Sequence, residues 1–312
     1  MANDWPFPLG LEWVRNVPLK TKKLHPLFAA EIAGFDMQRD TGPASVAALI
    51  DALNEHAVCV VKHDAPLTDD EHIGFAGLLD PMDRAKGPRI AGTGQRVPRT
   101  EIVDQSNLDA DGNIYTEGDK RLAYKRANRL WHTDMSFYDI RATWSLLSAH
   151  IVPPEGADTE FTDMRAVYDD LPAAMKTRLD GLVGEHCYWY SRVLGGGPEP
   201  TEAERATRPP PARHPLVHVH PRSGRKVLYL ASHVRGIVGW PEDEARDFLA
   251  GLMAIATRER YVYAHRWTGP GEVLVWDNLA TMHRATPFDD QKYVRDMRRA
   301  TCRERAVEGQ IA

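Results

Sequence analysis

The chain has 312 residues, a formal net charge of −5, 43% hydrophobic and 27% charged residues, and three cysteines. The length and apolar content suffice for a large core, while the acidic balance and dispersed basic residues give no reason to expect nucleic-acid or membrane binding, so small molecules are the expected partners. Cys59, Cys187 and Cys302 lie far apart with no Cys-x-x-Cys, which points to three buried thiols rather than a disulfide framework or a thiolate zinc site.

Met1 to Pro8 has no basic stretch followed by an apolar core, and no segment approaches 18 uncharged apolar residues, so a soluble, cytoplasmic protein is expected. Residues 1–23, rich in Pro and Trp, read as an extended arm whose aromatics dock on the body or on a neighbouring subunit, which leaves homo-oligomer formation open. Residues 24–312 read as a single domain. Phe28 to Asp36 suggests a strand, and Ser45 to His56 a helix with Val46, Leu49, Ile50 and Leu53 at helical spacing after a Ser45 cap. Ala57 to Lys62 reads as a buried strand. Thr68-Asp69-Asp70-Glu71 has capping-box spacing before a second helix through Leu79. His56, His63 and His72 read most simply as surface or cap residues.

Asp80 to Leu122 is the least regular part, with turn chemistry around one short strand, Glu101 to Asp104. Gly92-Thr93-Gly94 lacks the strand–turn–helix setting of a nucleotide loop, and Asp109-Ala110-Asp111-Gly112-Asn113 lacks the closing Glu of a calcium loop. Long irregular stretches in a domain often cover a binding site, so residues 84–127 are expected to form a lid.

Downstream, Trp144 to Val152 and Thr159 to Phe161 read as strands, Met164 to Leu182 as helix broken at Pro172, and His186 to Val193 as strand. A loop with a short helix at Thr201 to Ala206 leads to a hairpin across Pro221 to Gly224. A last helix spans Pro241 to Arg258, and the chain ends in strands at Tyr261 to Arg266, Glu272 to Trp276 and Arg295 to Arg303. Periodicity alone leaves an α+β arrangement undecided in detail.

Two stretches carry chemistry. Leu130-Trp131-His132-Thr133-Asp134-Met135-Ser136-Phe137 is strand-like, which would put His132 and Asp134 on one face. A distant histidine, His283 after Asp277-Asn278, would complete a two-His-one-carboxylate set, the arrangement that holds non-haem Fe(II) with open positions. In the last strand, the period of two places Arg295, Met297, Arg299 and Thr301 on one face. Two inward arginines are costly unless anions meet them.

The blocks Leu130 to Phe137, Gly156-Ala157-Asp158-Thr159-Glu160-Phe161, Val275 to Asn278 with Met282-His283-Arg284-Ala285, and Arg295 to Thr301 resemble the Fe(II)/2-oxoglutarate-dependent TauD/TfdA dioxygenases. The aryloxyalkanoate (2,4-dichlorophenoxyacetate) branch is the nearer one, through His25-Pro26-Leu27-Phe28, Asp163-Met164-Arg165-Ala166, Ser223-Gly224-Arg225-Lys226 and His265-Arg266-Trp267. The resemblance implies a double-stranded β-helix, a cupin-like jelly roll with helices packed outside. It implies Fe(II) as metal, 2-oxoglutarate as co-substrate and O2 as oxidant. By the same resemblance, His132, Asp134 and His283 hold the metal, Arg295 and Thr159 bind the distal carboxylate of 2-oxoglutarate, and Asn128 and Arg299 meet the substrate, with Arg298 a rival for the last role. Asp134 argues against halogenation, since halogenating relatives carry a small residue there. The implied reaction hydroxylates a small anionic molecule and cleaves an aryloxyalkanoate ether to a phenol and a keto acid; a taurine, sulfonate or alkyl sulfate dioxygenase is the alternative. A hydrolytic zinc enzyme would leave the inward arginines and Thr159 unexplained, and a non-catalytic jelly-roll binder would be expected to lack one of these residues.

Overall fold

A computed structural model describes residues 19–84 and 96–305. Residues 1–18 of the expected arm, and the Lys86 to Arg89 and Gly92 to Gly94 turns of the expected lid, lie outside them. The amino-terminal half contains strands β1 (Lys20–Lys23), β2 (Ala30–Ala33), β3 (Val58–Lys62), β4 (Ile102–Asp104) and β5 (Ala142–Ile151), with helices α1 (Pro43–His56), α2 (Asp69–Leu79) and α3 (Lys120–Arg126). Next come β6 (Thr159–Asp163), α4 (Met164–Asp170), α5 (Ala173–Leu179), β7 (Val183–His186), α6 (Tyr188–Leu194), α7 (Glu202–Arg205), β8 (Ala212–Pro215), β9 (Val217–Val219), β10 (Lys226–Leu228) and β11 (Val234–Ile237). The described chain closes with α8 (Glu242–Ala256), β12 (Val262–His265), β13 (Glu272–Asp277), β14 (Thr281–Ala285) and β15 (Asp296–Arg303).

Seven strands form the main sheet in the order β1-β2-β3-β13-β5-β15-β4, antiparallel except for the β2–β3 pair. Its central strands are buried on both faces, as their near-continuous apolar runs require. One face packs under α1 and α2 through Leu49, Leu53, Phe75, Trp144, Val275 and Cys302. The other face carries Val60, Leu147, Leu274, Trp276 and Met297, clustered with Phe161 of a three-stranded sheet ordered β12-β6-β14. A third cluster joins α4, α5 and α8 to Leu216, Val227, Leu228 and Met282. Among the described residues no helix is long and apolar enough to cross a membrane.

Most expected elements are present, including the Thr68 capping box, the break at Pro172 and the β9–β10 hairpin. Several readings need correction. The first helix starts at Pro43 with Gly42 at its cap position, because proline's fixed φ suits the first turn; Ser45 lies inside. Lys20–Lys23 is an edge strand against Ala30–Ala33 rather than part of a free arm. Helix α3, capped by Asp119, begins within the stretch read as irregular. His56 and His72 are buried, and His63 accepts a bond from the Met37 amide. Cys59 and Cys302 are buried thiols, whereas Cys187 is half-buried. Of the strand expected over His186 to Val193 only His186 is in one, as the last residue of β7; Tyr188–Leu194 is helical, because packing of Tyr188 and Trp189 on Tyr124 and Phe137 overrides the β-preference of three consecutive aromatics.

Candidate metal centre and active site

The stretch that carries His132 is not a strand. A 3-10 turn over Ala127–Arg129 runs into a single bridge at His132, and the chain then turns, with Met135 in the left-handed region at φ 57°. His132 and Asp134 therefore converge through a turn, not through strand alternation. The bridge joins the two histidines by reciprocal backbone bonds: the His132 N–H donates to the His283 carbonyl at 2.9 Å and the His283 N–H to the His132 carbonyl at 2.7 Å. The turn is pinned by wholly buried Asn278, whose Oδ1 accepts the Asp134 amide at 3.2 Å and whose carbonyl accepts the Thr133 hydroxyl at 2.7 Å.

The result is a convergent set. One ligand atom each from His132, Asp134 and His283 lies within 4.8 Å of the others, and all three residues are buried. The His132 Nδ1–H donates to the Leu130 carbonyl at 2.8 Å, which leaves Nε2 as its free donor atom. His283 Nε2 stands 3.7 Å from Asp134 Oδ2, while its Nδ1 is buried without a partner among the described residues. Burial lowers His132 to about 4 against the opposing pull of Asp134, and lowers His283 well below the usual imidazole value. Burial also works to raise the Asp134 carboxyl, but Arg299, the two histidines and the Ser145 hydroxyl outweigh it and hold the group at about 2. Two neutral imidazoles and one ionised carboxylate are the protonation states that a divalent metal needs.

Thr159, Asn128, His132, His283, Arg295 and Arg299 line one pocket. Arg295 and Arg299 are 8% and 9% exposed. Arg299 donates to Asp134 Oδ1. Arg295 has no carboxylate within ion-pair distance among the described residues; its Nη1 donates to the Gln105 carbonyl at 3.0 Å, its Nε is buried without a partner, and burial alone pushes the guanidinium down to about 10. Arg298 faces the other way and donates to Asp69 at 2.7 Å. Thr159 Oγ1 accepts the Trp267 indole N–H at 3.1 Å, so its own proton is free to be donated. Asn128 bridges Gln105 and Arg192. Trp189 packs on Tyr124, and Phe137 packs on Tyr188 and His233. At the pocket rim, Asp290 binds Arg126 through both carboxylate oxygens and Arg129 through one.

Several residues that shape the site had no distinct sequence signal. Ser145 lies in a plain strand, Gln105 and Asn107 in an irregular stretch, and Asp290 in a loop. Asn278 stands in one of the motif blocks, but nothing in the block points to its hold on the Asp134 turn.

The sequence matches the family described as "Taurine catabolism dioxygenase TauD, TfdA family" over residues 20–301. It is 38% identical over 284 residues to the alpha-ketoglutarate-dependent 2,4-dichlorophenoxyacetate dioxygenase of Cupriavidus pinatubonensis, covering 91% of this chain and 97% of that protein. It is 29% identical over 286 residues to an alkylsulfatase of Acinetobacter baylyi, covering 88% and 83%. The crystal structure of AAD-2 in complex with Mn(II) and N-oxalylglycine superposes with a TM-score of 0.85 at 35% identity, covering 92% of this chain and 98% of that one. With a family match across most of the chain and its blocks placed around one convergent His-Asp-His set, the protein belongs to the TauD/TfdA dioxygenase family.

Proposed function

We propose that this protein is an Fe(II)- and 2-oxoglutarate-dependent dioxygenase that oxidises an aryloxyalkanoate-like acid at the carbon next to its ether oxygen. The observation that carries the reading is Arg295, a buried guanidinium without an anion among the described residues, in the same pocket as the His132, Asp134 and His283 set. The charges support an acid substrate. A ferrous ion and the Arg295 and Arg299 guanidiniums face the carboxylate of Asp134, and of the other charged residues lining the pocket Lys125, Arg126 and Arg129 outnumber Asp290, so an excess of positive charge awaits a dicarboxylate co-substrate and an anionic substrate. Leu122, Leu147, Trp276 and Phe288 in the pocket wall suit an aromatic ring. The relative at 38% identity, which acts on an aryloxy acid by its name, favours that class over the alkyl sulfate alternative.

When bound, Fe(II) with 2-oxoglutarate and O2 supplies the oxidising power, with succinate and CO2 as co-products. His132, Asp134 and His283 would hold the metal, with the Leu130 carbonyl fixing the His132 ring, the Ser145 hydroxyl bonding the Asp134 carboxylate and Asn278 holding the Asp134 amide. Arg295 would clamp the distal carboxylate of 2-oxoglutarate, to which Thr159 donates its hydroxyl proton. Arg299 would orient the substrate's acid group, assisted by Asn128, and the apolar wall would keep water away. Hydroxylation beside the ether oxygen gives a hemiacetal, which collapses to a phenol and a keto acid.

We further infer that the main sheet, with its Lys20–Lys23 edge strand, and the β12-β6-β14 sheet form one domain built as a double-stranded β-helix, that the described residues 96–127 of the expected lid cover its pocket, and that the enzyme works in the cytoplasm. The test is succinate and phenol release across aryloxyacetates, aryloxypropionates, alkyl sulfates and sulfonates, including taurine. Succinate with taurine or alkyl sulfates, and no phenol from any aryloxy acid, would transfer the protein to the alternative class.

A further inference from the structure

Arg295 stands just before β15, at the end of the stretch 286–295, which has no regular secondary structure. Something must fix the register of such a loop, because a slip of one residue would send the guanidinium out of the pocket. The Asn107 side chain, 4% exposed, spends its hydrogen-bonding capacity on this loop. Its Oδ1 accepts the Arg295 backbone N–H at 2.8 Å, and its Nδ2 donates to the Asp290 carbonyl at 2.8 Å and the Tyr293 carbonyl at 2.9 Å. The Asn107 backbone N–H also donates to the Arg295 carbonyl at 3.2 Å, extending the β4–β15 pairing past its last named partners, Arg298 and Asp104. Two residues upstream, the Gln105 carbonyl receives the Arg295 guanidinium. Asn107 thus grips the main chain that carries Arg295, and Gln105 aims its side chain. Asp290 ties the same loop to Arg126 and Arg129, across the pocket rim.

We propose that Asn107 is a positioning residue that sets Arg295 for the distal carboxylate of the dicarboxylate co-substrate. The inference rests on the reading of Arg295 as that anchor. An aspartate in its place has an oxygen where two carbonyls require a donor, and an alanine takes away the acceptor of the Arg295 amide and the donor to the Tyr293 carbonyl, leaving the Asp290 carbonyl the longer 3.4 Å bond from Gln291 Nε2.

The test uses the full chain loaded with Mn(II), with 2-oxoglutarate binding followed by calorimetry, and steady-state kinetics with Fe(II) alongside. Asn107→Ala and Asn107→Asp are expected to weaken 2-oxoglutarate binding about tenfold or more, with Mn(II) affinity within about twofold of wild type and with KM for 2-oxoglutarate rising far more than kcat falls. Arg295→Ala is the control. If it leaves 2-oxoglutarate affinity unchanged, the anchor reading itself fails. If it weakens binding while both Asn107 variants bind as wild type, the positioning role fails alone. Equal loss of metal and co-substrate affinity in the Asn107 variants, or failure of both to fold, would also overturn the proposal by making Asn107 a residue of the fold rather than of the anchor.

Discussion

Replacing Arg295 by methionine should separate what the fold wants from what the site wants. Burial without an anion brings the guanidinium down from its ordinary value to about 10. Held charged in the fold, it therefore costs about 3 kcal/mol. The sign is that of a base whose folded value is depressed: the penalty is complete at every pH below about 10 and fades only as the group deprotonates. Arg295→Met removes that penalty and gives up the bond from Nη1 to the Gln105 carbonyl, which contributes about 1 kcal/mol. The unliganded variant should thus be more stable than wild type, by roughly 1–2 kcal/mol. Its affinity for 2-oxoglutarate should fall about ten- to a hundredfold, through loss of a charge-assisted contact. Denaturant unfolding of the metal-free protein measures the first quantity and calorimetry on the Mn(II)-loaded protein the second. A variant clearly less stable than wild type, or one with wild-type co-substrate affinity, would refute the argument that Arg295 is an anchor maintained at the fold's expense.

Alanine at His132, Asp134 or His283 should abolish turnover and deplete bound iron; circular dichroism and unfolding of the metal-free protein should stay close to wild type for the two histidines, whereas Asp134→Ala should lower stability by about 3 kcal/mol because it leaves Arg299 buried without its carboxylate, and full activity in any one would remove that residue from the metal set. Arg299→Ala should mainly raise the requirement for the aryloxy acid, seen by titrating each substrate separately. Because Arg299 also donates to Asp134, iron should be held less tightly as well. Gly271→Ala should destabilise the protein by about 2–3 kcal/mol in thermal unfolding, since Gly271 has φ +90° and a Cβ there would stand 2.4 Å from the His63 carbonyl oxygen.

The strands of the main sheet were legible because their apolar runs and β-branched residues leave little choice, and Thr68 announced its helix through the spacing to Glu71. The three candidate metal residues, Thr159, Asn128 and the two inward arginines were also reachable, and the fold brings all of them to one place. Strand alternation, however, is not what pairs His132 with Asp134. Alternation in a strand is a local rule, whereas the actual turn is imposed by Asn278, far along the chain. Asn107 and Asp290 were hidden for the same reason. Their partners are backbone groups and arginines more than 150 residues away, and no local pattern reports a contact of that kind. The burial of His72 belongs here too, since its ring is bonded to the Leu146 carbonyl in the middle of the main sheet.

The reciprocal bonds between the His132 and His283 main chains have a consequence for which ion the protein ends up carrying. Because the two imidazoles are fixed by backbone pairing and not by a shared ion, the pocket need not fold around its metal, unlike a zinc finger, whose structure collapses without it. A rigid cage of two nitrogens and one oxygen is also undemanding. By the general order of divalent affinities, cobalt, nickel, copper and zinc should all bind it more tightly than ferrous ion. Such a protein would survive loss of iron as an intact, empty-handed molecule, ready to be mismetallated by whichever cation is most available. Its activity in a cell would then track the supply of free ferrous ion more closely than the amount of folded protein.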